Sequence, residues 1–258
     1  MTGNYGWHPD KPDHRDLKYA IHRMGVEAPE DASKLVTHVD LTAQMPPVYD
    51  QGELGSCTGN SIAAGFQFER MKQKLANWVP SRLFIYYFER LMEGTVNEDA
   101  GAQIRDGIKV IATNGVPEET LWPYNPTEFA IKPTTAAIQF AEAHKATQYM
   151  RLDGTKLSEL KTCLAAGYPF VFGFTVYPAF ESEEVAKTGV CPMPDLTTQP
   201  VGGHAVLCVG YDDASQTFRV RNSWGPDWGQ KGYFTIPYAY LTNPDLAQDF
   251  WTIRLVNA

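Results

Sequence analysis

Three short segments hold residues whose types and order can carry out nucleophilic chemistry. In YDQGELGSCTGNS, residues 49–61, Cys57 closes a Gly-rich loop and opens a helical pattern. The free N–H groups and positive end of a starting helix favour a thiolate over a thiol there. Gln51 lies six residues earlier, across a turn containing Gly52 and Gly55. Folded back, its amide donates toward an oxyanion forming at the sulfur, with the Cys57 N–H as second donor. In VGGHAVLCVGYDD, His204 starts an apolar strand behind Gly202 and Gly203, which let a substrate backbone come close. In VRNSWGPDWGQKGYF, Asn222 ends the next strand. A hairpin sets its amide oxygen on one ring nitrogen of His204 and leaves the other for Cys57, with Trp224 covering the His–Asn bond from water.

The elements that must position these groups follow from the pattern of apolar residues. Residues 57–74 read as a helix with Ile62, Phe66, Met71 and Leu75 near one face. Residues 81–92 form another with Ser81 as N-cap, and 102–114 a third, stopped by Gly115. Helices near 133–145 and 156–166 follow, the latter stopped by Gly167. Strands then dominate: 170–176, 204–211, 218–222, 233–236 and 251–256 are rich in β-branched and aromatic residues, with a hairpin loop at 212–216. Helices first and antiparallel strands later make an α+β protein of two lobes, roughly 50–148 and 149–258, with a ligand site in the cleft between them. Residues 1–38 are polar, hold Pro9, Pro12 and Pro29, lack periodicity beyond a short piece near 17–21, and read as an extended arm.

Composition narrows the function. The 258 residues carry a net charge of −8, which disfavours nucleic acid as main partner. No apolar run reaches membrane-spanning length, and the opening MTGNYGWHPDKPDHRD has no apolar secretion signal. A cytoplasmic protein is favoured, although a removed leader would leave the same sequence. Four cysteines are too few for a disulfide scaffold. Cys163 and Cys208 sit in apolar patterns and read as core; Cys191, in TGVCPMP, reads as an incidental thiol on a surface loop. His8, His14, His22 and His38 lack ligand spacing and read as exposed, so no metal or other cofactor is expected. Asp212–Asp213 and Glu181, Glu183 and Glu184 read as turn and solvated face, and 84–88 as core packing.

Gln51–Gly52 with Gly55–Ser56–Cys57, then Gly203–His204–Ala205, then Asn222–Ser223–Trp224–Gly225 with Trp228–Gly229 and Gly232–Tyr233, resemble the motifs of papain-like cysteine proteases. The spacing of roughly 150 residues from Cys to His also fits. The resemblance runs over most of residues 39–258, and MPPVYDQG, the LWPY segment and the opening YGW are similar to the bacterial branch. It implies a thiolate–imidazolium pair of Cys57 and His204, an oxyanion site of Gln51 and the Cys57 N–H, and Asn222 as orienting group. Peptide bonds are then cut through a thioester.

Three departures stand out. Leu54 replaces a family cysteine that normally forms a disulfide, which fits a reducing compartment, and Thr58 replaces a packing aromatic, so the first helix must seat differently. Gly203 also stands where plant relatives often have Asp.

The family's main pocket takes the side chain second before the cleaved bond. Loose alignment gives Gly101, Gly173 and Ala205 as walls, a roomy apolar pocket for Leu, Phe or Tyr, with Gly203 and Trp224 also against the substrate. The arm, much shorter than a usual family propeptide, either lies over the cleft through Tyr5, Trp7, Pro9 and Pro12 or packs elsewhere as a strap. The leading expectation is a monomeric endopeptidase acting on peptides or proteins. The alternatives are an exopeptidase or deamidase/transferase of the same chemistry, with the 181–201 loop as a blocking element, and a catalytically idle binding module.

Overall fold

The computed structural model describes residues 5–19 and 35–258, so His22 and part of the arm fall outside it. Helix α1 (Cys57–Lys72) runs through the middle of the molecule. Its sequence, CTGNSIAAGFQFERMK, mixes small and large residues around the whole circumference, and all but its last turn is buried. The one-sided face expected from Ile62 and Phe66 is therefore a helix enclosed on every side, with α2 (Arg82–Glu93) and α3 (Ile104–Thr113) against it in the helical lobe and a β-sheet on the other flank. Ser81 caps α2 by accepting from the Phe84 N–H at 3.2 Å, and Gly94 closes it in the left-handed region.

The second lobe is built on one antiparallel sheet. Its strands are β1 (His38–Asp40), β2 (Ala146–Arg151), β3 (Phe170–Val176), β4 (Gly202–Asp212), β5 (Thr217–Arg221), β6 (Tyr233–Pro237) and β7 (Ala247–Val256). The order is β2-β7-β3-β4-β5-β6, with β1 beside the far end of β4. Helices α4 (Thr135–Glu142), α5 (Leu157–Ala165), α6 (Glu183–Thr188) and α7 (Tyr238–Leu241) fill in around these layers. Strand β2 was not anticipated: ATQYMR alternates too weakly, because it is an edge strand with its middle exposed. None of the described helices is long and apolar enough to cross a membrane.

Three expectations need correction. Cys191 is buried, its N–H donating to the Thr235 carbonyl at 2.9 Å, and burial pushes its thiol up to about 12. Asp213 is more than turn: it takes an ion pair from Lys161 at 2.7 Å and a hydrogen bond from the Tyr238 hydroxyl. Glu181 is not simply solvated, since it accepts from the Tyr5 hydroxyl at 2.8 Å. Cys163 and Cys208 are buried in the core, and His8, His14 and His38 are exposed.

The seat of α1 also explains Thr58. Its hydroxyl donates to Glu89 Oε2 on α2 at 2.7 Å, both side chains fully buried, and Gly107 on α3 leaves room for the second carboxyl oxygen. Burial raises the Glu89 carboxyl well above its ordinary 4.5, which favours its neutral form. An acid raised in this way gives stability that is complete below the unfolded-state pKa and declines as pH rises through the folded-state value. We expect Glu89→Gln, which cannot ionise, to gain on the wild type by up to ~1.4 kcal/mol per pH unit above about pH 4.5. Urea titrations at pH 4, 5, 6 and 7 read this; a difference independent of pH contradicts it.

Candidate active site

Asn222 and Ser223 directly follow β5, and His204 lies near the start of the adjacent β4, so the hairpin brings the two side chains together. His204 Nε2 and Asn222 Oδ1 are 2.8 Å apart, and that bond orients the ring. Trp224 stacks on the imidazole at 5.0 Å and 24°, with Phe174 edge-on at 5.9 Å. The other ring nitrogen, Nδ1, is buried with no hydrogen-bond partner among the described residues. Cys57 comes to the same place from the opposite lobe: the Ala205 N–H, next to His204, donates to Cys57 Sγ at 3.4 Å.

The loop before Cys57 is fixed at several points. Gln51 N–H donates to the Ser223 carbonyl at 2.8 Å, and Gln51 Oε1 accepts from the Ser223 hydroxyl at 2.6 Å. Gln51 Nε2 folds back over the loop to the Leu54 carbonyl at 3.0 Å. The Tyr124 hydroxyl donates to the Gln51 carbonyl, and the Asp99 carboxylate takes the Gly55 N–H. Leu54, at the position of the family's disulfide cysteine, is buried in a small cluster with Leu83 and Phe84. Asp99 carried no signal in the sequence, and Ser223 and Tyr124, though inside the NSWG and LWPY segments, were given no part in holding this loop. They act through single hydrogen bonds between distant segments, which periodicity does not register.

Residues 5–19 of the arm cross the mouth of this site. The Trp7 N–H donates to the Gly203 carbonyl at 2.9 Å, the His8 N–H to Ala102 O at 3.1 Å, and the Ala102 N–H to Gly6 O at 2.6 Å. The arm thus ties the two lobes together across the cleft. Trp7 is 5% exposed, and its indole fills space that side chains at Gly173 and Gly203 would otherwise need; a Cβ on Gly173 would lie 2.0 Å from the ring. Ala205 lies opposite Gly173 in the β3–β4 register. Gly101 differs from the expected wall: a Cβ there would strike the Gly6 carbonyl, so it faces the arm backbone rather than the indole. At the far end of the pocket Asp249 Oδ2 accepts the indole N–H at 3.2 Å. Asp249 is buried on β7 with a left-handed φ of 60°, and nothing in the local sequence marked it.

The cover sets the charge state beneath it. Burial pushes the Cys57 thiol up to about 11, against lowering by hydrogen bonds from the Ala205 and Gly6 N–H groups. Burial brings His204 down to about 4, against the opposing bond to Asn222. Under the arm, burial thus favours the uncharged form of each group. Gly6 also presents an N–H to the sulfur, while its carbonyl accepts from the Ala102 N–H.

A sulfur, an amide-oriented imidazole and a bound extended segment in an interlobe cleft define a cysteine peptidase of the papain fold. Residues 35–249 match the papain family cysteine protease model, and the chain belongs to that family. It is a cysteine peptidase, a hydrolase. It is similar to xylellain, a cysteine protease from Xylella fastidiosa, at 45% identity over 99% of this chain and 97% of that one, with a TM-score of 0.90. An uncharacterized peptidase C1-like protein of Acanthamoeba polyphaga mimivirus is 41% identical over 99% of this chain and 88% of its own. Procathepsin B of Trypanosoma congolense shares the fold at 17% identity, covering 96% and 85% with a TM-score of 0.71.

Proposed function

We propose that the chain is an endopeptidase with Cys57 as nucleophile and His204 as its proton partner, held inactive by its own N-terminal arm. With the cleft open, the dyad leaves its buried surroundings and the proton passes from sulfur to imidazole. The thiolate adds to the peptide carbonyl, forming the C–S bond as the carbonyl π pair moves onto oxygen. Gln51 Nε2–H and the Cys57 N–H receive that oxyanion. Collapse breaks the C–N bond as His204 protonates the amine, leaving a thioester that water, deprotonated by His204, then hydrolyses. Asn222 keeps the ring in register through both proton transfers.

The observation that carries this reading is the convergence of Cys57, His204 and Asn222 from both lobes on a cleft that holds an extended peptide segment. The pocket filled by Trp7 supports a large apolar or aromatic side chain second before the cleaved bond.

Mapping the cuts that the full chain, opened by Trp7→Ala, makes in long unstructured peptides tests the proposal. Internal cuts that disappear after alkylation are expected; trimming from one terminus alone overturns the endopeptidase reading. In the same assay Gln51→Ala should lower kcat by roughly 10²–10³-fold with a smaller change in KM, the effect of losing one oxyanion donor. An unchanged kcat would remove Gln51 from the mechanism.

A further inference from the structure

Beyond the Trp7 pocket the arm places a second side chain in a built site. The Asp10 carboxyl is completely enclosed, and its partners come from three elements of the protease body. Oδ1 accepts the backbone N–H of Arg105, in the first turn of α3, at 3.0 Å. Oδ2 accepts from the Arg151 guanidinium of β2 at 3.0 Å and from the Trp251 indole of β7 at 3.1 Å. Asp249 Oδ1 holds the other arm of that guanidinium at 2.6 Å, and the second oxygen of Asp249 takes the Asp10 N–H. Asp16, also on the arm, shares Arg151 Nη1 with Asp10 at 3.0 Å and pairs with Arg105 at 2.7 Å. A backbone N–H, a guanidinium and an indole N–H converging on one carboxylate from rigid elements form a recognition site.

The arm also gives the direction in which a substrate reaches this site. From Gly6, beside the sulfur, the chain runs forward to Trp7 in the pocket and on to Asp10. In a substrate whose pocket residue precedes the cleaved bond, the same path runs toward the N-terminus. The carboxylate site therefore lies upstream of the pocket residue. Trp7 and Asp10 stand three residues apart, and Asp249 Oδ2 takes both the Trp7 indole N–H and the Asp10 N–H, so the carboxylate site lies beside the deep end of the pocket.

We propose that Arg151, Trp251 and the Arg105 N–H form a specificity subsite for an acidic side chain about three residues upstream of the pocket residue, which Asp10 occupies while the arm is down. The proposal rests on the protease reading and deepens it: the preferred substrates are acidic on their N-terminal side. The leucine, phenylalanine or tyrosine of the main pocket is then only part of the recognised sequence. Asp10 acts as a mimic of the substrate's own carboxylate, on a chain running the opposite way.

The test uses the full chain carrying Trp7→Ala and Asp10→Ala, which loosens the arm and vacates the site. Two internally quenched peptides are compared, with Phe for the pocket and either Asp or Asn three residues upstream. The Asp peptide should show a KM about tenfold lower at equal kcat, the scale of one charged hydrogen-bonded contact. Adding Arg151→Gln should abolish the preference. Trp251→Phe, which loses the indole N–H and part of a buried ring, should reduce it, with circular dichroism checking that the fold is kept. Equal KM values, or a preference that survives both substitutions, overturn the subsite. Fluorescence anisotropy of the same two peptides on this protein with Cys57→Ala reads the subsite without turnover. Failure of hydrolysis with an intact binding preference would then count against the protease reading alone, and equal binding against the subsite.

Discussion

Cys57→Ala should abolish peptide hydrolysis, with kcat falling on the order of 10⁵–10⁶-fold, and His204→Ala should cost nearly as much. The reason is that the two act as one unit. Without the sulfur no thioester forms, and without the imidazole neither the thiol proton nor the departing amine is served. The double variant should therefore be little worse than either single one, since what the first substitution removes is not there for the second to remove again. Asn222→Ala should retain measurable activity, because the amide holds the ring at 2.8 Å but exchanges no proton. Initial rates on one quenched peptide, with the parent protein and the four variants at equal concentration, check all of this. If Cys57→Ala kept more than a thousandth of the activity, another nucleophile would be at work.

Trp7→Ala should raise kcat/KM of the full chain by about 10²-fold. Truncating a buried indole typically costs 3–5 kcal/mol of packing. Here that packing holds the arm to the cleft rather than one part of the core to another, since the ring sits between Gly173 and Gly203 with its N–H on Asp249. The loss therefore shifts the covered–open equilibrium toward open, and about 3 kcal/mol is already a factor above 100. The gain should appear in kcat/KM and shrink at saturating substrate, because arm and substrate compete for one cleft. An unchanged kcat/KM would mean that the arm is a strap and not a cover.

The sequence made much of this legible, for physical reasons that can be named. The helix beginning at Cys57, the strand beginning with His204 and the hairpin to Asn222 are local patterns: a Gly-rich loop before a helix, an apolar run, a turn. Their outcome is settled within a few residues of chain. The α2 start at Ser81 was visible for the same reason, since a capping hydroxyl acts three residues away. What escaped was everything decided by distant partners. Edge strand β2 has half its face in solvent, so its alternation is blurred. Cys191 was misplaced because TGVCPMP reads as turn, yet its thiol is folded inward under β6. Gly101 abuts the Gly6 backbone rather than the Trp7 indole, a distinction that alignment, which gives only a residue's order, does not make. Asp10 and Asp249 looked like ordinary acids; only the fold surrounds them with Arg105, Arg151 and two indoles.

A thiol near 11 and an imidazole near 4 are what burial produces when the arm is down. Neither value describes the open cleft, where solvent and the thiolate's own N–H donors return.

Site-resolved alkylation with iodoacetamide across pH 5–10 tests the central claim most directly. In the wild-type chain Cys57 should react slowly and with a rate that climbs through pH 8–10, as a raised thiol requires. In Trp7→Ala it should react at least tenfold faster near pH 7 with a nearly flat profile, and His204→Ala on that background should restore the steep one. If Cys57 reacts identically in wild type and Trp7→Ala, or if its profile in the opened chain ignores the loss of His204, the covered cysteine–histidine pair is not the working centre of this protein.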